Sequence, residues 1–274
     1  MRSIYSDRMT KSNNFPSVTV IMPTFNAEAT VLYALQSIMM QSIQPDQVLI
    51  VDDASTDRTV ELVDSFIRDR KLSSWSITPL FQNRGAGGAR DYGARLACSY
   101  YLAFLDADDE WLPHALNSAL KLMFQSNLDL LGAQFENVNK RQQSLYPGRL
   151  NWITLNSLLF RNCLLTSTVV IKRSQYLNAG GFDIFQRYSE DYRFWLAVVS
   201  QVGSRCAVIS DVHARYAPRS TACSSRLSRK HWSMERAELL NYWLLRCDGK
   251  ISWLAWGAAS TFSLLKYCIR LIRY

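Results

Sequence analysis

Four acidic residues stand within five positions at the end of an apolar run. The segment YYLAFLDADDEWLP, residues 100–113, places Asp106, Asp108, Asp109 and Glu110 directly after YLAFL. Carboxylates this close repel one another, and burial strengthens the repulsion. A divalent cation, Mg²⁺ or Mn²⁺, would offset it, since such ions are held by one or two carboxylates plus substrate phosphates. We therefore expect Asp106 and Asp108 to bind a metal; capping of the following helix by the same acids is the competing interpretation.

A second acidic junction, VDDASTD at residues 51–57, follows the apolar run QVLIV. An aspartate at this point could accept a hydrogen bond from a nucleobase or a ribose. Helix capping by Asp52, Ser55 or Asp57 explains the segment equally well. After the first apolar run, VTVIM, Phe25 could stack on a base or belong to the core.

The segment NRGAGGARDYG, residues 83–93, is rich in glycine and leads into a predicted helix. Glycines at such a point let backbone amides approach a phosphate at the positive end of the helix. The segment matches neither the G-x-G-x-x-G dinucleotide fingerprint nor a P-loop, because Arg90 stands where the third glycine would be and no G-K-[ST] follows. Arg84 and Arg90 could pair with phosphate or with the nearby acids.

The elements that must position these junctions alternate regularly. Apolar runs predict strands, and apolar residues at helical spacing predict the helices between them. The strands are expected at residues 18–22, ended by Pro23, and at 47–51, 75–80 and 100–105, with helices at 29–41, 59–68, 87–97 and after Pro113. This order is typical of an open parallel sheet covered on both faces. Because ligands bind beyond the carboxyl ends of such strands, the polar junctions should converge on one crevice.

Past about residue 127 the alternation weakens. Further strands are expected at residues 129–135, 166–172 and 207–210, and a helix at 190–202.

Five motifs, taken in order, resemble those of the family 2 glycosyltransferases: VTVIMPTFN, VDDASTD, NRGAGGARDYG, LAFLDADDEWLP and YSEDYRFWL. The resemblance covers roughly residues 17–215. It implies the α/β GT-A fold, with a Rossmann-like, mostly parallel sheet flanked by helices. It also implies inverting transfer of a sugar from a nucleotide diphosphate sugar, with a UDP-sugar as the expected donor and Mg²⁺ or Mn²⁺ as cofactor.

The same resemblance assigns roles to individual residues. It implies that Asp53 pairs with the base, that Phe25 flanks it, that Asp106 and Asp108 bind ribose and metal-diphosphate, and that Asp191 is the catalytic base. The expected donor-binding residues are Pro23, Phe25, Asn26, Asp53, Arg84, Gly85, Arg90 and Asp106.

Asp191 also suits this role chemically. Inversion in a single displacement needs a carboxylate that removes the proton of the acceptor hydroxyl. An exposed aspartate is a weak base, with a pKa of about 4, but adjacent Glu190 and burial could raise its pKa. The alternative is that Glu190 and Asp191 only begin a helix as first-turn acids.

The last 70 residues carry the whole net charge of +8. Such a block suggests an anionic partner surface, and a solvated basic face without a partner is the alternative. The segment 251–265 is uncharged but shorter than the roughly 18–20 residues of a membrane span. As a helix it would present one apolar stripe: Ile251, Leu254, Ala258, Phe262, Leu265, Ile269 and Ile272. We expect peripheral contact with an anionic membrane; packing on the protein's own core or in a dimer is the alternative.

Several wider expectations follow. The domains should be an extension at 1–16, a GT-A domain at 17–215 with donor-binding (17–112) and acceptor-binding (113–215) halves, and a basic helical region at 216–274. No secretory signal stands at the N-terminus and no C-x-x-C pair occurs among six cysteines, which favours reduced thiols in the cytoplasm, at the inner face of the membrane. The oligomeric state stays open.

The expected acceptor is a glycan or a lipid-linked molecule. A Q-x-x-R-W motif, which resemblance associates with processive synthases, is lacking, and SRKHW at 228–232 does not match it; we therefore expect transfer of one sugar. A nucleotidyltransferase of similar fold would carry a lysine-containing glycine loop after the first strand, which PTFNAEAT lacks. A nucleic-acid-binding protein using the basic tail is the other alternative, disfavoured by the neutral first 204 residues.

Overall fold

The computed structural model describes residues 15–136, 148–217 and 231–273. Its first half alternates strands and helices as the apolar runs predict. These elements are β1 (Val18–Thr24), α1 (Val31–Met39), β2 (Gln47–Asp52), α2 (Thr59–Asp69), β3 (Trp75–Pro79), α3 (Gly85–Leu96) and β4 (Tyr101–Phe104). Each predicted boundary lies within two residues of the observed one.

Strand β1 does not end at Pro23, as expected, but continues to Thr24. Residues Ser17 and Ile21 accept hydrogen bonds from the side of β4, whereas Val18 and Thr24 accept from the side of β2. The missing N–H of Pro23 therefore points toward β4, which stops pairing with β1 at Ile21. Proline costs no ladder hydrogen bond at this position.

The second half contains more elements than the sequence predicts. They are β5 (Asp109–Trp111), α4 (Ala115–Gln125), β6 (Leu130–Glu136), β7 (Leu150–Trp152), α5 (Leu155–Phe160), β8 (Val170–Lys172), α6 (Arg173–Asn178), α7 (Glu190–Val199) and β9 (Cys206–Tyr216). The strand expected at 166–172 was wrong in its first half, because Thr166–Thr168 form a 3₁₀ turn. The strand expected at 207–210 is part of β9, which is 11 residues long.

All nine described strands join one sheet in the order β3-β2-β1-β4-β8-β6-β9-β5, with β7 paired to β9. Strands β3, β2, β1 and β4 are parallel, β8 runs against its neighbours, and β6 and β9 are again parallel. The architecture is a mixed α/β fold with a mostly parallel central sheet.

The core lies on both faces of this sheet. Val20 and Met22 pack on the side of α1, α2 and α4, whereas Ile21, Leu49 and Phe104 pack on the side of α3 and α7. This follows from the two-residue period of a strand, which sends neighbouring side chains to opposite faces. Helix α3 lies close to the sheet at Gly93. A Cβ atom at this position would stand 2.8 Å from Ile21 Cγ2, so the absence of a side chain permits the close approach.

Two further helices, α8 (His231–Cys247) and α9 (Trp253–Arg273), pack beside α7 and α5. Tyr242, Ile251 and Ala259 are buried with the side chains of α7 in the same core. Among the described helices, none has the length and apolar character needed to cross a membrane. The described cysteines are all free thiols. The basic segment 218–230, which holds most of SRKHW, and residues 1–14 lie outside the described residues.

Candidate active site

The carboxyl ends of β1, β2 and β4 lie at one edge of the sheet, as their parallel pairing requires. The N–H of Asp53 donates to the carbonyl of Thr24 over 2.8 Å, which joins the first two junctions directly. Phe25 follows at the rim and is 47% exposed, so its ring is accessible to a planar group. Pro23 is buried one residue earlier in the strand.

Asn26 organises the loop after β2. Its backbone takes a left-handed φ of 47°. Its N–H donates to Ser55 Oγ, and its side-chain oxygen accepts from the N–H of Thr56 over 2.8 Å. Asn26 therefore shapes the rim beside Phe25. Asp57 accepts from the N–H of Thr59, the first residue of α2, but it lies one residue before the N-cap Arg58, which makes no side-chain capping bond.

The carboxylate of Asp53 closes the loop that opens α3. It accepts hydrogen bonds from the N–H groups of Arg84, over 2.6 Å, and Gly85, over 2.8 Å. Gly85 can take this position because its φ of +80° favours glycine. Burial raises the pKa of Asp53, and the two amide bonds act in the opposite direction. Each carboxylate oxygen has two lone pairs and accepts one of these amides, so each oxygen keeps one further lone pair. The side chain of Arg84 is exposed at the same helix end.

Arg90 joins the end of β4 to the start of α7. The side chain of Arg90 is 6% exposed. Its guanidinium donates to Asp106 Oδ1 over 2.7 Å and to Glu190 Oε1 over 3.3 Å. Of the two partners that the sequence left open for Arg90, phosphate or acids, the structure gives it the acids. Burial alone would lower the pKa of Arg90, but the charges of Asp106 and Glu190 raise it by more than burial lowers it. The net pKa is raised, so the guanidinium stays cationic.

Gly87 allows this contact. A Cβ atom at Gly87 would stand 2.6 Å from Glu190 Cγ. Real Cβ atoms essentially never approach so closely. The glycine-rich start of α3 thus serves close packing against α7, in addition to any role near phosphate.

The acids after β4 remain under mutual repulsion. Burial and the charge of Asp106 raise the pKa of Asp108. Burial and the charges of Asp106 and Asp108 raise the pKa of Asp109, whose Oδ2 accepts a hydrogen bond from Ser167. Asp109 Oδ1 is buried, with no hydrogen-bond partner among the described atoms. Within the described ranges, neither Asp108 nor Asp109 forms an ion pair, so the negative charge is only partly offset.

Asp191 lies at the first turn of α7, beside the guanidinium of Arg90. Its Oδ1 accepts from the N–H of Tyr192 over 2.7 Å, and its Oδ2 accepts weakly from Thr166 Oγ1 over 3.4 Å. Burial raises the pKa of Asp191, although the charge of Arg90 opposes this. Burial and the charge of Asp191 likewise raise the pKa of Glu190. A half-buried carboxylate with a raised pKa is suited to accept a proton.

A divalent cation fits the chemistry of this donor set. No group of three or more histidine, cysteine or acidic residues among the described ones forms a metal site by itself. Asp106 and Asp108 are partly exposed, and Asp109 Oδ1 is buried without a hydrogen-bond partner among the described atoms. Two carboxylates that need phosphate oxygens to complete the shell are what Mg²⁺ or Mn²⁺ commonly uses.

Three contributors were missed by sequence reasoning. Thr166 and Ser167 were assigned to a strand, yet their hydroxyls bond Asp191 and Asp109. Arg187 precedes α7 and donates to the carbonyl of Asn83 over 3.3 Å, which brings this loop onto the loop that holds Asp53. No local pattern marks such contacts, because the partners are 25, 58 and 104 residues apart in the sequence.

The fold and the site define a glycosyltransferase of the GT-A type. Residues 19–182 match the model of the family described as Glycosyl transferase family 2. The chain belongs to this family.

A curated relative agrees with this assignment, and solved structures agree with the fold. The Escherichia coli protein WfgD, named UDP-Glc:alpha-D-GlcNAc-diphosphoundecaprenol beta-1,3-glucosyltransferase, is 30% identical over 186 residues, covering 66% of this chain and 69% of WfgD. Mannosyltransferase PcManGT from Pyrobaculum calidifontis, solved with GDP-Man and Mn²⁺, is similar with a TM-score of 0.70 and 20% identity, covering 94% of this chain and 75% of PcManGT. Residues 1–349 of S. aureus TarS, solved with UDP-GlcNAc, give a TM-score of 0.66 at 22% identity over 82% of this chain and 66% of that chain. In another solved chain of S. aureus TarS, the match covers 39% of that chain.

Proposed function

We propose that this chain transfers one sugar from a nucleotide diphosphate sugar to a hydroxyl of a lipid-linked glycan acceptor in surface polysaccharide synthesis, inverting the anomeric carbon. The observation that carries the proposal is the bridge formed by Arg90. One guanidinium holds Asp106, on the donor side, and Glu190, the neighbour of Asp191, on the acceptor side. The name of WfgD supports UDP-glucose as donor class and a diphosphoundecaprenol-linked acceptor.

The donor would bind along the carboxyl edge of the sheet. Phe25 would stack on the base, and the free lone pairs of Asp53 would accept from its N–H groups, with Pro23 and Asn26 shaping the rim. The amino end of α3, with Arg84 and Gly85, would face the diphosphate, because a helix N-terminus favours an anion.

Asp106 and Asp108 would hold Mg²⁺ or Mn²⁺. When bound, such an ion neutralises charge on the leaving diphosphate. The Mn²⁺ in the PcManGT complex supports this choice.

Asp191 would act as the base. The acceptor oxygen forms its bond to the anomeric carbon while the bond from that carbon to the diphosphate oxygen breaks. The proton of the hydroxyl passes to the carboxylate of Asp191, and the diphosphate leaves with the electron pair. Burial favours this step because it raises the pKa of Asp191.

The experiment combines a panel of nucleotide sugars with a synthetic GlcNAc-diphosphate lipid and follows release of nucleoside diphosphate and product. Asp191→Asn should bind the donor as the native chain does but transfer sugar at least about a hundredfold more slowly. Asp64→Asn, on the solvent-facing side of α2, is the control and should transfer normally. Transfer by Asp191→Asn at the native rate would exclude this base, and absence of transfer by the native chain with every donor would exclude the proposed acceptor class.

Peripheral membrane contact through α9 is part of the proposal, and the orientation of this helix supports it. Its polar face turns toward α8, where Arg270 pairs with Glu235 over 2.9 Å and Ser263 donates to Glu238 over 2.9 Å. The opposite face exposes most of the stripe expected from the sequence. The exposed members include Leu254 (86%), Phe262 (41%), Leu265 (57%), Ile269 (51%) and Ile272 (84%), whereas Ile251 is buried.

An aromatic group stands at the amino end of α9. Trp243, Trp253 and Trp256 contact one another with ring centroids 5.8–6.0 Å apart, and the guanidinium of Arg246 lies 4.3 Å above Trp253. Tryptophan and arginine together are typical of a membrane–water boundary. Lys266 and Arg270 already form ion pairs, so attraction to anionic lipid would rest more on the other basic groups of this region.

Flotation with vesicles tests this contact. The native chain should float with vesicles containing anionic phosphatidylglycerol, and Leu265→Gln with Ile269→Gln should reduce the bound fraction at least about tenfold, because each change places an amide in an apolar phase. Val202→Gln, a fully exposed site elsewhere, should float normally. Equal flotation of both variants would exclude α9 as the contact surface.

A further inference from the structure

The segment that precedes the helix of Asp191 contains an unusual backbone turn. Ser189, the residue before α7, has a left-handed φ of 53° and ψ of 28°. Residues other than glycine, asparagine and aspartate seldom adopt this backbone conformation, because their Cβ atom crowds the following carbonyl. The turn aims the first residues of α7, Glu190 and Asp191, at Arg90 and Thr166. We therefore expect contacts from outside α7 to stabilise the left-handed turn at Ser189.

The holding contact comes from α8. The side-chain amide of Asn241 donates to the carbonyl of Ser189 over 3.1 Å. The same carbonyl accepts the N–H of Arg193 over 3.0 Å, which is the first hydrogen bond of α7. Asn241 is 1% exposed, so its amide is committed to the interior of the protein.

The other end of the Asn241 amide is also used. Its oxygen accepts from Gln186 Nε2 over 3.0 Å, and Gln186 Nε2 donates in addition to the carbonyl of Tyr188 over 2.8 Å. Gln186 Oε1 accepts from Arg193 over 3.2 Å. Asn241 thus contacts the segment before α7 at two points. Its amide nitrogen donates to Ser189, and its amide oxygen accepts from Gln186.

We propose that Asn241 is a positioning residue, which fixes the turn at Ser189 and thereby the place of Asp191 in the active site. This inference rests on the proposed function, since it takes Asp191 as the base. It gives α8 a second role besides supporting α9. The C-terminal helices would then be needed for the chemical step even with an acceptor that is free in water.

Two substitutions at Asn241 test the contact. Asn241→Ala removes both hydrogen bonds, whereas Asn241→Asp keeps the shape and the acceptor for Gln186 but loses the donor to Ser189. Both should lower kcat about tenfold to a hundredfold with a short-chain, water-soluble lipid-linked acceptor, because misplacing a catalytic group by about 1 Å has effects of this size. The KM for the donor should stay within about twofold. Leu240→Ala, on the exposed side of α8, is the matched control and should match the native chain.

Rescue separates positioning from a general loss of structure. Glycine adopts a positive φ without steric cost, so Ser189→Gly in the Asn241→Ala background should restore at least a third of the native kcat. No such recovery would be expected if Asn241 only stabilised the core. A failure of the double variant to exceed Asn241→Ala would overturn the proposal.

Hydrogen exchange gives a readout that does not depend on activity. The amide of Arg193 should exchange at least about tenfold faster in Asn241→Ala than in the native chain, while amides in the middle of α3 keep their protection. Unchanged exchange at Arg193 would overturn the proposal, whatever the activity. Altered exchange together with a chain that transfers no sugar would retain the positioning contact and reject the proposed function instead.

Discussion

The bridge formed by Arg90 gives the sharpest test of the site. Replacing Arg90 by methionine keeps a long, unbranched side chain but removes the charge between Asp106 and Glu190. Three hydrogen bonds disappear, from Nε and Nη2 to Asp106 and from Nη1 to Glu190. Two carboxylates that are 28% and 14% exposed then lose their shared counter-charge.

The magnitude follows from this burial. Removing one partner of a buried ion pair costs about 3–5 kcal/mol, because the other charge is left uncompensated. Asp106 reaches solvent, which relieves part of the penalty, so we expect a loss of about 3 kcal/mol in the free energy of unfolding at pH 7.5. A chain of this size loses roughly 2–4 °C in Tm for each kcal/mol, so Tm should fall by about 6–12 °C.

The defect should also depend on pH in a fixed direction. Burial already raises the pKa of Glu190, and without the guanidinium, whose charge opposes this rise, the folded-state pKa of Glu190 should lie further above its unfolded value. The folded state then binds more protons than the unfolded state, so its stability rises as pH falls. The difference from the native chain should therefore shrink between pH 7.5 and pH 5.5.

Thermal unfolding at both pH values, with a chelator present, measures this effect. Arg68→Met is the control, since Arg68 pairs with Asp64 on the surface of α2, with side chains 70% and 49% exposed. Such a pair is worth less than about 1 kcal/mol. If Arg90→Met and Arg68→Met unfold at the same temperature at pH 7.5, the bridge does not carry the charge balance described here.

Other predictions concern the same carboxylates. The rate constant kcat should fall on the acid side with an apparent pKa above the value of about 4 for an exposed aspartate, since burial raises the pKa of Asp191, and a pH–rate profile at saturating donor measures it. Gly87→Ala should lower kcat about tenfold or more by displacing Glu190, whose Cγ would meet the new Cβ at 2.6 Å, whereas Gly257→Ala, where a Cβ meets open space, should not. In chelator, Tm should rise as pH falls from 8 to 6.5, because the pKa of Asp109 is raised to about 8 and the folded state takes up a proton in this window; a flat profile would contradict the described repulsion.

The parallel half of the fold could be predicted because its strands are continuous apolar runs. The segments that form β1, β2 and β4 are buried on both faces, so apart from Thr19 their polar residues stand only at the strand ends. Their polar ends could then be placed at one edge by the rule for parallel sheets. The convergence of Asp53 and Asp106 with α3 follows from chain order and needs no long-range information.

The second half could not be predicted in the same way. Strand β9 carries Asp211 and His213 among its apolar residues, so only 207–210 matched a strand pattern. The β-branched run at Thr166 suggested a strand, but the hydroxyls of Thr166 and Ser167 bond acids instead of facing a neighbouring strand. Hydroxyl-rich segments often exchange ladder hydrogen bonds for side-chain contacts, and local propensity does not register this competition.

The acidic cluster predicts a positive charge beside it. The structure supplies one from Arg90 to Asp106, whereas Asp108 and Asp109 form no ion pair among the described residues. Arg90 is a permanent cation that the fold buries, and it covers Asp106 and Glu190. Asp108 and Asp109 lie outside its hydrogen bonds, and burial, together with the charges of neighbouring carboxylates, raises their pKa values. A second permanent cation would neutralise that charge in the absence of substrate. In the proposed function, a cation–diphosphate complex would relieve this repulsion on binding, and that relief would contribute to the donor's binding free energy.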